Sequence, residues 1–229
     1  MTTTIKWLGH YAFEIKTGEF TLLLDPFITD NPVATVSADE LSADFILVTH
    51  GHADHVADVA SIANRTGATV VAPVEAAGWF QSQQDVENTV PLNLGGGIQL
   101  PFGHVRMTIA HHSSSMPDGS YGGNPAGYIL TLPEGNVYFS GDTALFMEME
   151  LYGRQGIDLA ILSIGDHFTM GPEDSVEAVK MLNPTRVVPA HFNTWPPIEQ
   201  DANVWAERVS EATDAQPVIL DVNGEIELS

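Results

Sequence analysis

No cysteine occurs in the 229 residues. That excludes disulfides, thiolate catalysis and zinc–sulfur sites, so any metal must be held by imidazole and carboxylate. Basic residues are also scarce: eight Lys and Arg stand against thirty Asp and Glu, a formal charge of −22. Such a surface repels nucleic-acid backbones and anionic lipid, so neither nucleic acid nor membrane is an expected partner. Charged residues make up only 17% of the chain, below the ~25% of ordinary domains, so the imbalance reflects missing Lys and Arg more than surplus acid. We read it as solubility, or an adaptation to salt, ahead of function. No stretch approaches the ~20 apolar residues of a membrane span. The start MTTTIKWLGH lacks the basic and apolar regions of a secretory signal. A soluble, cytoplasmic protein is expected, with one domain over residues 1–229 and a substantial core.

Alternating apolar residues in IKWLGH and YAFEIKTGEFTLLLDPF predict an opening run of strands, with a hairpin turn at Thr17-Gly18. DFILVT is a buried-type strand that stops at a cluster of histidines. VADVASIANRTG follows with helical spacing up to Gly67, and ATVVAP is a second buried strand. Glycines break the middle of the chain into short strands, among them a turn at Gly95 to Gly97. GYILTL and NVYFSGD form strands around Pro133-Glu134-Gly135; DLAILSIG is a strand, GPEDSVEAVKMLN a helix with Pro172 in its first turn, and TRVVPAHF a strand ending at His191. Two sheets flanked by helices are implied.

VTHGHADHVAD places His50, His52, Asp54 and His55 just past a strand end. Residues two apart in an extended segment point the same way, so His50 and His52 can share one ion while Asp54 and His55 reach a second. Alone, such a cluster is an ordinary polar turn. His111-His112, Asp142 and His191 also stand where strands end, in the crevice where α/β proteins build their sites. So many titratable groups in one crevice would repel each other without an ion. Imidazole and carboxylate suit Zn²⁺ first, with Mn²⁺ or Fe²⁺ possible. A carboxylate such as Asp142 can bridge two ions ~3.5–4 Å apart, which would trap and deprotonate a water.

THGHADH, GDTALF and VVPAHFNTWP resemble the metallo-β-lactamase superfamily, whose hallmark is HxHxDH followed by a bridging Asp and a last His. More narrowly, WLGH, LLLDPF, HSSS, NPAG, IGDHFTMGPEDS and VVPAHFNTWPPIEQD are similar to metal-dependent hydrolases related to the L-ascorbate-6-phosphate lactonase branch. The resemblance implies an α/β, four-layer αββα sandwich with a two-metal centre. It implies that His50, His52 and His112 hold one ion, Asp54, His55 and His191 the other, and that Asp142 bridges. His112 is preferred to His111 because the ligand of that family directly precedes the Ser-Ser pair. The activity implied is hydrolysis of a small lactone, ester or phosphoester by a bridging hydroxide, with Asp54 or a water passing the proton. A homo-oligomer is also implied.

Asp25 matches an aspartate that orients a ligand histidine, or else it forms a turn before Pro26. His10 faces substrate or is structural; His104 reads as an exposed turn residue. His167 stands where the related sequences carry Asn, and an imidazole there can titrate or ligate. Trp195 and Thr194 are candidates for a pocket wall, Trp79 and Trp205 for helix packing. GDTAL lacks a phosphate-loop context, and Ser113 to Ser115 lack a nucleophile elbow. The competing readings are an iron-dependent oxidoreductase or nuclease on the same fold, and a non-catalytic metal-binding regulatory module.

Overall fold

The computed structural model describes residues 2–228. The first sheet has the order β14 (Glu225–Leu228), β1 (Thr3–Gly9), β2 (Ala12–Thr17), β3 (Phe20–Leu24), β4 (Phe45–Leu47), β5 (Thr69–Pro73), β6 (Thr89–Leu92). The second runs β13 (Gln216–Pro217), β12 (Arg186–Ala190), β11 (Leu159–Ser163), β10 (Gly135–Phe139), β9 (Ala126–Leu132), β8 (Gly103–Ile109), β7 (Gly97–Leu100). Strand alternation explains why these sheets are covered on both faces. In β3, Leu22 and Leu24 enter the core between the sheets while Leu23 faces outward, and in β4 Phe45 and Leu47 oppose Ile46 in the same way.

The outward face of the first sheet packs on α2 (Val59–Thr66) and α3 (Val74–Gln84) through Val59, Ile62, Ala76 and Phe80. The second sheet is covered by α4 (Met149–Gly153), α5 (Pro172–Leu182) and α6 (Ala202–Ala212), which contribute Val176, Val179, Leu182 and Trp205. The result is the αββα sandwich. Trp205 is fully buried and donates its indole N–H to Ser175 Oγ at 2.6 Å. Trp79 is half-buried and bonds Asp118 at 2.7 Å.

Two local expectations are corrected. The helix expected from His55 begins earlier, as α1 (Ala53–Val56), and breaks before α2. Asp58 stands at the break, its carboxylate accepting from Ile28 N, Thr29 N and Thr29 Oγ1. His104 is no turn residue: it lies in β8, paired with Gln99 and Thr131, and is half-buried.

Strand direction positions the site. β1 and β3 are each antiparallel to β2, and β3 is parallel to β4. β8 and β10 are each antiparallel to β9, and β10, β11 and β12 are mutually parallel. All the strands that precede the candidate residues therefore end at one edge of their sheet. Backbone bonds from His191 N to His10 O (3.0 Å) and from Ala126 N to Thr49 O (3.0 Å) tie the two edges together. No helix among the described residues is long and apolar enough to cross a membrane.

Candidate metal centre

Three strands end in a left-handed residue: His10 (φ 55°) after β1, Asp25 (φ 43°) after β3 and His191 (φ 55°) after β12. Asp and His tolerate this region better than bulky residues, and such conformations persist where surrounding contacts fix them. Each turns the chain so that a polar side chain stands over the end of its own sheet. After β10 the same turn falls on Gly141 (φ 60°), where an added Cβ would sit 2.5 Å from Ala126 O. Tyr11, buried in the core, accepts from Gly141 N at 2.8 Å and donates to Ile161 O at 3.1 Å. That fixes the backbone that carries Asp142.

One group of nitrogens consists of His50 Nε2, His52 Nδ1 and His112 Nε2. His50 Nε2 and His112 Nε2 lie 2.9 and 3.2 Å from His52 Nδ1. Two nitrogens on one tetrahedral zinc, each ~2.0–2.1 Å from the ion, stand about 3.3 Å apart, so this spacing fits a shared ion. The tautomer of His50 follows from its neighbours. Thr49 Oγ1 donates to Asp25 Oδ2 at 2.5 Å, which leaves it to accept from His50 Nδ1 at 3.0 Å, so Nε2 carries the lone pair. Burial, then the neighbouring His55, holds His50 well below its ordinary pKa; burial also lowers His52 and His112.

The second group is His10, Asp54, His55 and His191, whose potential ligand atoms lie within 4.8 Å of one another. His55 Nδ1 donates to Asp25 Oδ2 at 2.8 Å and so presents Nε2. Asp25, fully buried, accepts from Thr49 N as well (2.8 Å). Burial pushes its carboxyl up against the pull of His55 and Thr49. Asp142 Oδ2 stands between the groups, 3.0 Å from His191 Nε2, 3.4 Å from His55 Nε2 and 3.7 Å from His112 Nε2. Burial opposes ionisation of Asp142, but His191 and His55 outweigh it and hold the carboxyl well below its usual range. Burial likewise disfavours charge on His55, but Asp142 and Asp25 raise it well above its ordinary value.

The donor set fits a metal. His55 Nε2, Asp142 Oδ1 and both ring nitrogens of His191 are buried with no hydrogen-bond partner, although His191 Nε2 and His55 Nε2 lie 3.0 and 3.4 Å from Asp142 Oδ2. Orphaned buried polar atoms require an explanation. A divalent cation would displace the proton from His55 Nε2 and supply the positive charge that Asp142 demands.

Other candidates fall into place by contact. His10 is fully buried, with Nδ1 2.8 Å from Thr194 Oγ1 and Nε2 3.2 Å from Asp54 Oδ2. Burial, then His191, lowers it to about 3, so the ring is neutral; Nε2 donates to Asp54 and the Thr194 hydroxyl donates to Nδ1. Burial works against the Asp54 carboxylate, yet His10 and His55 keep it below the usual range. Trp195 packs edge-on against His10, centroids 4.9 Å apart. His111 is exposed and stacks on Phe146 (5.2 Å), whereas His112 lines the site. A cavity of about 290 Å³ opens over the groups, lined by His52, Asp54, His112, Ser113, Asp142, Phe168 and His191. His167 is exposed and contacts the Phe168 ring edge-on (4.5 Å) without lining the cavity. A larger cavity of about 930 Å³ lies elsewhere, floored by the stacked pair Trp7 and Phe192, and carries none of these groups. Sequence reasoning missed Tyr11 and Thr49, inside the motifs HYAF and VTH: Tyr11 meets Gly141 and Ile161 far along the chain, and Thr49 links the adjacent His50 to Asp25, 24 residues away.

Residues 21–192 match the family described as "Beta-lactamase superfamily domain". A UPF0173 metal-dependent hydrolase of Thermus thermophilus is 45% identical over 207 residues, covering 90% of this chain and 91% of its own. One from Shouchella clausii is 44% identical, covering 98% and 99%. The solved structure of Igni18, a metallo hydrolase from the archaeon Ignicoccus hospitalis, superposes with a TM-score of 0.90 at 32% identity, covering 100% of this chain and 99% of that one. On the fold, the histidine-aspartate clusters and these relatives, the chain belongs to the β-lactamase superfamily, among its metal-dependent hydrolases.

Proposed function

We propose that this hydrolase works with two divalent ions, zinc first among the candidates, on a small lactone, ester or phosphoester. His50, His52 and His112 would hold one ion, Asp54, His55 and His191 the other, with Asp142 shared between them. The observation that carries this reading is the position of Asp142 Oδ2 between the Nε2 atoms of His191, His55 and His112, among buried polar atoms that lack partners. When bound, the ions would polarise the scissile bond and make water nucleophilic at neutral pH.

The chain's own residues do the rest. Asp25 and Thr49 fix the tautomers of His55 and His50, so that lone pairs face the ions. Asp54 has a side chain 29% exposed at the cavity wall and takes a hydrogen bond from His10. Held as a carboxylate, it is placed to take a proton from the attacking water and pass it to the leaving oxygen. Trp195 packs edge-on against His10, and the cavity over the groups is of a size to hold a small molecule. The formal charge of −22 weighs against a nuclease.

The test is metal analysis of protein purified without added metal, followed by a lactone, ester and phosphodiester panel. Two equivalents of a redox-silent ion and turnover abolished by Asp142→Asn are expected. An iron content with a redox-active spectrum would favour an oxidoreductase. No turnover with both sites filled would favour a regulatory module.

A further inference from the structure

His52 meets two parts of the site through its two ring nitrogens. Nδ1 faces His50 Nε2 and His112 Nε2 at 2.9 and 3.2 Å, and Nε2 lies 3.3 Å from Ser113 Oγ. With Nδ1 as the ion's donor, a neutral ring carries its proton on Nε2. Nε2–H therefore donates to Ser113 Oγ, and the hydroxyl keeps its own proton to give. Among the described residues no acceptor takes that proton. Ser113 is exposed, and among the described residues it is the one hydroxyl in the cavity lining.

The segment that carries Ser113 is fixed to the histidine turn. Ser114 Oγ accepts from Gly51 N, between the two ligand histidines, at 3.1 Å, and Ser114 O accepts from Gly122 N at 3.3 Å. Met116 is buried against Gly51, where an added Cβ would stand 2.6 Å from its Sδ and 3.0 Å from Ser115 O. Met116 N donates to Ser120 O at 2.8 Å, and Ser115 pairs with Tyr121. A hydroxyl on so constrained a segment is in place before a ligand arrives, so little ordering remains to be done on binding.

We infer that Ser113 is a substrate-binding residue, which accepts from His52 and donates to an acceptor oxygen of the molecule that enters the cavity. This rests on the reading of His50, His52 and His112 as ligands of one ion. It also explains why the serine run supplies no nucleophile: His52 Nε2 presents a proton to Ser113, and a ring that donates cannot act as the base that a serine nucleophile needs. The ion and the substrate act on the same chain of bonds. A cation at Nδ1 makes Nε2–H a stronger donor, and a hydroxyl that accepts a stronger bond donates more strongly in turn.

The test uses protein saturated with zinc and two probes: inorganic phosphate, an acceptor that binds without reacting, and para-nitrophenyl acetate as a substrate. Ser113→Ala should weaken phosphate binding by about 10-fold, the worth of one hydrogen bond to a charged group. It should lower kcat/KM for the ester by a similar factor. Ser113→Thr keeps the hydroxyl and should restore both. Zinc affinity by chelator competition should change less than either, because the contact with His52 is exposed and water can accept from Nε2 once the hydroxyl is gone. Nitrogen NMR of zinc-loaded protein should place the His52 proton on Nε2. Unchanged phosphate affinity in Ser113→Ala, a Ser113→Thr variant no better than Ser113→Ala, or a His52 proton on Nδ1 overturns the inference. A loss of zinc affinity that matches the loss of activity overturns it as well, since Ser113 would then act only by placing His52. An ester that fails to turn over, with the phosphate results as expected, overturns the hydrolytic reading and leaves Ser113 as a binding residue.

Discussion

Asp25→Asn separates the orienting role of this carboxylate from its bulk. Asp25 accepts from Thr49 N, Thr49 Oγ1 and His55 Nδ1, and its left-handed backbone tolerates Asn as well as Asp. An amide has one acceptor oxygen and one NH₂ in this space. If the oxygen keeps Thr49 N, the NH₂ faces His55 Nδ1, which must then accept. The His55 proton moves to Nε2 and points at Asp142, 3.4 Å away, occupying the lone pair that an ion needs. Losing such a partner weakens metal affinity by about 10–100-fold, or about 1.4–2.8 kcal/mol at 1.4 kcal/mol per decade. The loss should be largest in the His55 group, which bonds the substituted atom directly, while His50 feels it only through Thr49, whose hydroxyl loses its acceptor at the same atom. Chelator-competition titration should show one tight ion and one weakened ion, and nitrogen NMR of His55 should report the changed tautomer. Two ions bound with unchanged affinity, alongside an unchanged His55 tautomer, would refute the reasoning.

Other outcomes follow from the same geometry. Metal-free protein should lose stability as pH falls below about 6.5, because His10 and His50 have folded pKa values below their unfolded ones and the unfolded state then binds more protons. His10 alone contributes a slope of about 1.4 kcal/mol per pH unit, down to about pH 3. Melting temperatures in chelator that stay level from neutral to pH 5 would contradict this. His112→Ala should weaken metal binding, whereas His111→Ala, at an exposed stacked ring, should leave affinity unchanged and stability within about 0.5 kcal/mol; equal effects on affinity would show that the wrong histidine was chosen. Gly141→Ala should cost at least about 1–3 kcal/mol in urea unfolding, from its positive φ and the clash with Ala126 O, and should displace Asp142. A neutral result would mean that the turn can relax.

Much of this protein is legible in the sequence because two signals are local. Buried strands such as DFILVT and DLAILS announce themselves by composition, and the polar residues that terminate them mark the sheet edge where a site forms. The residues of the candidate centre could therefore be named in advance, down to His50, His52, Asp54, His55, Asp142 and His191. The choice between His111 and His112 was beyond alternation, since side-chain direction past a strand end depends on the turn; the fold stacks one on Phe146 and turns the other to His52. His10 could not be assigned either, because its partner Thr194 lies 184 residues away and Asp54 lies 44 away. Nor does the sequence say that Phe168 and not His167 lines the cavity, which the turn at Asp166 (φ 70°) and its loop bonds determine. Sequence alone determined which groups are available and that they gather at strand ends, since hydrophobic pattern and ligand chemistry are written residue by residue. Tertiary structure decided which lone pairs face one another, because that depends on left-handed turns and on hydrogen bonds between segments that only folding brings together.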